Sequence, residues 1–309
     1  MVSSATKIMK RPGRKITLDE VIEGLKNDKL ISQADYDRIF KSLKLARFHP
    51  LVSVGKMAFK HPTEPKTTLD TEWLTQWYAG KLGMGYIDID PLKMDIGEIT
   101  KLLPKAFIKR IAVLPVQITP TKVVFATAEP FERDWLLDTS ASIKRDVEIV
   151  LGNPEKITRY IEEFFEVRSA MNQVGDVESE FGDQNALDKM VGSEKGEFKA
   201  DDGNVAKIVD WLFQFASTER ATDIHLEPRE GQAQMRFRID GNLRVVYKFD
   251  AKVFIPVLSR LKIIAELKVD EKRRPQDGRI KRQVGDKLME MRISTIPTHY
   301  GEKMVIRIF

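Results

Sequence analysis

The chain has 309 residues, 42% of them apolar and 31% charged, with a net charge of +5 and no cysteine. That is long enough for two domains with real cores and a highly charged surface. It excludes disulfides, cysteine nucleophiles and cysteine-ligated metals. The sequence holds no run near the roughly 18 apolar residues a bilayer span needs, and the four scattered histidines (His49, His61, His225, His299) offer no metal-ligand spacing.

Lys7, Lys10, Arg11, Arg14 and Lys15 make an acid-free start without a secretory apolar stretch, read as a solvated basic tail over 1–15. Residues 16–84 read as helical. Thr17-Leu-Asp-Glu20 is a capping box, in which the Thr17 hydroxyl accepts from the Glu20 amide and the Glu20 carboxylate reaches back. Leu18, Val21, Ile22 and Leu25 follow at helical spacing, and Ser32-Gln-Ala-Asp35 repeats the start signal before Tyr36, Ile39 and Phe40. Pro50, Pro62 and Pro65 predict irregular chain over 49–66. A further helix is predicted from Asp70 through Trp73, Leu74, Trp77 and Leu82 to Gly83.

Residues 85–167 change texture and read as a compact α+β domain. Tyr86–Asp90 alternates as a short strand, Asp95 caps a helix ending at Pro104, and 113–118 and 122–127 flank a Thr119-Pro-Thr turn as a hairpin. Another strand, 147–151, precedes Asn153-Pro-Glu, an N-cap followed by an N1 proline. Over 168–203 apolar periodicity gives way to acidic residues and glycines, the composition of a flexible linker.

Residues 204–309 predict a second α+β domain with an antiparallel sheet: a helix, three strands, a helix over 253–267, then three more strands. Asp240-Gly241 and Gly285-Asp286 mark hairpins. Between helix and strands lies Glu271-Lys-Arg-Arg-Pro-Gln-Asp-Gly-Arg279. Pro275 and Gly278 predict an ordered turn that fixes Arg273, Arg274 and Arg279. Guanidinium groups fixed on a turn suit phosphate, which they grip with two parallel charge-assisted hydrogen bonds.

Arg220–Pro228, Met235–Gly241, Leu261–Ala265, Glu271–Arg279, Arg292–Pro297 and Gly301-Glu302 occur in this order. Together they resemble the N-terminal half of the secretion ATPases that drive type II secretion and type IV pilus assembly. Leu82–Asp90, Leu103-Pro104 and Val113–Val116 resemble the N1 domain of that family more loosely. The resemblance implies a PAS-like N2 domain over 204–309, followed by a RecA-like ATPase domain, and a hexameric motor using ATP and Mg2+. No GxxxxGK[ST] stands in this sequence. The chain is therefore read as a truncated form or a natural fragment that binds no cofactor alone and does not hydrolyse ATP by itself.

By motif position, the resemblance makes Arg279 and Arg292 the phosphate-contacting arginines of a shared active site, with Arg274 a further nucleotide-binding candidate. The bland reading pairs them with Asp277, Glu290 or Glu302 to hold the sheet. Asp223 and His225 share a strand face at i, i+2, but no nucleophile accompanies them, so they and Glu227 are expected to be structural. The Arg-Leu-Gly starts through which some members bind cyclic di-GMP are not matched at Ile16-Thr-Leu-Asp19, so that ligand does not carry over. The resemblance implies instead that residues 16–167 dock an inner-membrane platform protein, or a cytoplasmic-domain protein, of the secretion or pilus machine. A non-catalytic adaptor binding that platform is the alternative. Nucleic acid is not expected, because no aromatic stacking platform accompanies the basic turn.

Overall fold

The computed structural model describes residues 13–43, 48–179 and 203–309, which form two compact units: Met1–Met94 with Glu98–Glu162, and Asp95–Gly97 with Glu163–Phe309.

The first unit opens with helices α1 (Leu18–Asn27) and α2 (Gln33–Leu43). Both start signals are made. The Glu20 amide donates to Thr17 Oγ1 at 3.4 Å and the Thr17 amide to Glu20 Oε2 at 3.3 Å. Ser32 and Asp35 exchange the same reciprocal pair at 3.1 Å each. The basic start is partly tied down: the Gly13 amide donates to the Phe131 carbonyl, and Arg14 pairs with Glu20 while lying 4.1 Å over the Phe131 ring. Lys7, Lys10 and Arg11 lie outside the described residues. The irregular stretch expected after His49 contains a helix, α3 (Pro50–Gly55), because Pro50 occupies N1, where its missing N–H is no loss. α4 (Thr71–Leu82) is capped by Asp70 and ended by Gly83 at φ 64°.

Strands β1 (Tyr86–Ile87), β2 (Val113–Ile118), β3 (Lys122–Thr127) and β4 (Asp146–Gly152) form a mixed sheet in the order β1-β4-β3-β2, antiparallel only between β2 and β3. Short helices α5 (Ile96–Leu102), α6 (Lys105–Ile111) and α7 (Trp135–Ile143) connect these strands. One apolar core joins Val21, Ile22, Leu25, Ile39, Leu51, Leu74 and Leu82 of the helices to Phe131 and Leu151. The N-terminal helices and the α+β region thus share a single core within one unit. α8 (Pro154–Ser179) opens on Asn153 Oδ1, which accepts from the Glu155 amide at 2.9 Å. It continues well into the segment read as linker; residues 180–202 lie outside the described residues.

The second unit contains α9 (Gly203–Thr218), α10 (Ala251–Ile264) and a six-stranded, wholly antiparallel sheet. Its strands are β5 (Asp223–Arg229), β6 (Gln232–Ile239), β7 (Asn242–Asp250), β8 (Gln276–Val284), β9 (Lys287–Thr298) and β10 (Gly301–Ile308), in the order β7-β6-β5-β10-β9-β8. Asp240 and Gly241 both take positive φ, 49° and 81°, as a two-residue hairpin turn requires. Alternation sorts the faces. Ile280, Met291, Ile293, Met304, Ile306, Ile224, Leu226 and Phe237 are buried, with Val205, Leu212, Phe215, Val257 and Leu261 of the two helices completing the core. The intervening residues form the other face. Described helices and sheets thus give the two α+β units the sequence suggested.

Candidate functional site

The turn Glu271–Arg279 differs from expectation at its end. β8 already begins at Gln276, so Gly278 is a strand residue and no break. Its role is close approach: a Cβ there would lie 2.6 Å from the Ala265 carbonyl oxygen and 2.9 Å from Leu267 Cδ2. β8 passes flush against the end of α10 at Gly278. Successive strand residues face opposite ways, so Arg279 is turned outward and Ile280 is buried.

Arg279 is the direct cross-strand partner of Arg292, and Arg292 of Arg307. Arg307 stands opposite Asp223, and Asp223 opposite Arg238. One row across five strands therefore reads Arg279, Arg292, Arg307, Asp223, Arg238, four arginines against one aspartate. Direct neighbours on one face have Cβ atoms about 4.5–5.5 Å apart, and like charges placed so repel.

The aspartate serves the far end of the row. Arg307 Nε donates to Asp223 Oδ1 at 3.0 Å, Thr222 Oγ1 donates to Oδ2 at 2.9 Å, and Arg238 Nε lies 3.3 Å from Oδ2. Burial raises the Asp223 pKa, but the bonds from Arg307 and Thr222 outweigh it and hold the carboxyl below its ordinary value. Glu227 does the same two residues on, accepting from Arg236 at 2.7 Å, Arg229 at 3.2 Å and Lys303 at 2.8 Å. There too burial is overcome by the Arg236 and Lys303 bonds, which bring the pKa down to about 2. His225 sits between the two carboxylates with neither ring nitrogen bonded, and burial, aided by Lys303, lowers its pKa. Asp223 and Glu227 thus organise arginines.

The near end of the row is held more loosely. Arg279 is exposed, and no ion pair or side-chain hydrogen bond links it to any described residue. Arg292, 60% exposed, approaches Asp277 Oδ1 only at 3.9 Å, while Ser294 Oγ donates to that same oxygen at 2.5 Å. The alternative carboxylates are engaged: Glu290 faces Lys281 at 3.4 Å, and Glu302 is buried against Lys262. Arg274 is exposed on the loop before β8 and likewise has no such partner among the described residues. Arg273 is held by Glu271, whose Oε1 accepts from its amide at 2.7 Å. The structure thus brings Arg279 and Arg292 together and leaves Arg274 on the adjoining loop. Sequence reasoning missed Arg307 and Arg238. The signal available for Arg307 was its alternation with the buried Met304, Ile306 pair.

Residues 198–309 match the family model described as type II/IV secretion system protein, and residues 82–171 match the MshEN domain. The type IV pilus assembly ATPase TfpB of Acinetobacter baylyi is 35% identical over 285 residues, 91% of this chain and 48% of its own length. The type IV pilus assembly ATPase PilB of Myxococcus xanthus is 32% identical over 77% of this chain and 41% of its own. The type II secretion system protein E of Xanthomonas campestris pv. campestris is 34% identical over 65% of this chain and 35% of its own. The chain corresponds to the N-terminal half of a secretion ATPase. It spans about half the length, or less, of these curated relatives. Among solved structures, one described as MshE with cdg overlaps 48% of this chain and 99% of its own at 15% identity and a TM-score of 0.34, a level that carries no ligand across. Within this secretion-ATPase half, the arginine row lies wholly in the stretch matched by the secretion family model. No described helix is long and apolar enough to cross a membrane.

Proposed function

We infer that this chain is the regulatory and partner-docking half of a hexameric ATP-driven secretion or pilus-assembly motor. In this reading the open face of the second unit delivers Arg279 and Arg292, with Arg274 beside them, to nucleotide phosphates held by an ATPase domain. The observation that supports it most is the weakly neutralised end of the row: two arginines face each other across β8 and β9, and Asp277 reaches Arg292 only at 3.9 Å. A sheet accepts like charges side by side only at a cost in stability. An anion placed there removes the repulsion. As the bond to the leaving group breaks, its electron pair builds negative charge on the β–γ bridging oxygen while the remaining charge is spread over the terminal phosphoryl oxygens, and a planar guanidinium held at that point stabilises this distribution more in the transition state than in the ground state. Arg307 differs, since Asp223 already holds it; it serves as the end wall of the row. The ATPase domain itself would supply the Walker A lysine, Mg2+ and the β-phosphate cradle, none of which this sequence encodes. The first unit would carry the platform-protein contact at the inner membrane, keeping the motor cytoplasmic and peripheral.

The test joins the chain to its ATPase domain and compares Arg279→Ala and Arg292→Ala with the parent. The expected result is a fall in kcat of about 10³-fold or more for Arg279→Ala, the scale of an arginine finger, with the variant still folded. Unchanged turnover in both variants would falsify the reading.

A further inference from the structure

Two motif segments, Leu261–Ala265 and Gly301-Glu302, are left without a role by the arginine row. They meet at a buried ion pair. The side chains of Lys262 and Glu302 are 1% and 3% exposed. Lys262 Nζ donates to Glu302 Oε1 at 3.0 Å and Oε2 at 2.9 Å, and to the backbone carbonyls of Glu271 at 2.8 Å and Val269 at 3.4 Å. Gln276 closes the same loop from its other end. Its Oε1 accepts from the Lys268 amide, and its Nε2 donates to the carbonyls of Lys268 and Glu271, all at 2.9 Å. The loop therefore turns its carbonyls inward onto Lys262 and Gln276, while Lys272, Arg273 and Arg274 stand exposed outside. Three consecutive cations repel one another, and a free loop would spread.

Glu302 sits at the start of β10, opposite Pro297 of β9, so the sheet holds the anchor. A buried ion pair is weak support for stability, because apolar residues of similar volume often replace one without loss. This pair grips the backbone of the one loop that leads into β8. We propose that Lys262 and Glu302 are positioning residues that clamp the 269–276 loop, so that Arg274, and Arg279 just beyond it, stand where a phosphate can reach them. The proposal rests on the reading that these arginines meet nucleotide phosphate.

The double variant Lys262→Met/Glu302→Leu removes both charges together. In the 309-residue chain, trypsin reports the loop directly at Lys272 and Arg273, while a thermal melt confirms the fold. The expected result is cleavage there about tenfold faster than in the parent, with the melt little changed. Joined to the ATPase domain, the double variant should lose about 10- to 100-fold in kcat with little change in KM for ATP, and adding Arg274→Ala should cost nothing more. Parental cleavage rates in the folded double variant overturn the clamp and leave the phosphate reading standing. Faster cleavage with unchanged kcat overturns the positioning role, and the phosphate reading is then judged by Arg279→Ala and Arg292→Ala alone. If the double variant does not fold, Gln276→Ala loosens the loop from its other end and is judged by the same two rates.

Discussion

Gly278→Ala isolates the packing that sets the direction of Arg279. The added Cβ would lie 2.6 Å from the Ala265 carbonyl oxygen, 2.9 Å from Leu267 Cδ2 and 3.3 Å from Ala265 Cβ. Leu267 can rotate aside, but the carbonyl cannot. It ends α10, where the Ala265 amide donates to Leu261 at 3.1 Å, the Leu267 amide to Lys262 at 2.9 Å, and Glu266 already takes φ 58°. Either that helix end or β8 must shift. Overpacking of this kind costs about 1–3 kcal/mol, and a rigid backbone neighbour places this case in the upper half. For a unit of this size that lowers Tm by roughly 4–12 °C. The assay is thermal unfolding of the 309-residue chain followed by circular dichroism. Gly203→Ala is the control, since no atom of the described residues lies within 4 Å of a Cβ at that helix start. If Gly278→Ala melts with the parent, the flush contact between β8 and α10 is wrong, and so is the reason given for the outward turn of Arg279.

Three further outcomes follow from the electrostatics. Arg279→Ala should raise stability slightly, by about 0.2–1 kcal/mol, through relief of its repulsion with Arg292, and the gain should shrink in high salt on denaturant titration. Glu227→Gln should destabilise the second unit at neutral pH. The Glu227 pKa is depressed to about 2, so its contribution is present above the ordinary carboxylate value and lost as pH falls toward 2; the gap between parent and variant should close over that window. In the first unit, Glu129 accepts from the Ile16 amide at 2.8 Å and lies 3.7 Å from His49 Nε2, which contacts the Ala128 carbonyl at 3.1 Å, with Arg14, Lys15 and Glu132 also facing the carboxyl. Burial raises Glu129 to about 7 and lowers His49 to about 4. The raised Glu129 favours folding below its unfolded value near 4.5, and that contribution disappears as pH climbs to 7. The lowered His49 favours folding above about 6.5 and loses that contribution toward 4. Opposite slopes offset each other in the parent, so Glu129→Gln should reveal a steeper loss of stability with acid, measured by urea titration from pH 5 to 7.

Much of this architecture was legible in local chemistry. The capping pairs Thr17–Glu20 and Ser32–Asp35 form as written because each needs only residues three apart. The hairpins at Asp240-Gly241 and Gly285-Asp286 form for the same reason. Counting outward from Gly285-Asp286 along paired strands even yields the meeting of Arg279 with Arg292, since a hairpin fixes its own register. What stayed hidden depends on distant chain. Arg307 meets Arg292 across the local β9–β10 hairpin, but the Asp223 that neutralises it comes from β5, 84 residues away. The Lys262–Glu302 pair spans 40 residues, and nothing local told that these two charges were buried. Pro50 and Gly278 were both taken as breakers. Each residue type has a second use, as a helix N1 and as a place of close approach, and only the packing distinguishes the two.

The most direct measurement is a structure of the chain joined to its ATPase domain with Mg2+ and a non-hydrolysable ATP analogue. The account predicts the Arg279 and Arg292 guanidinium nitrogens about 2.7–2.9 Å from terminal phosphate oxygens, with the 269–276 loop still gripped by Lys262. An arginine row paired instead with protein carboxylates, and a terminal phosphate out of its reach in every subunit, would contradict it.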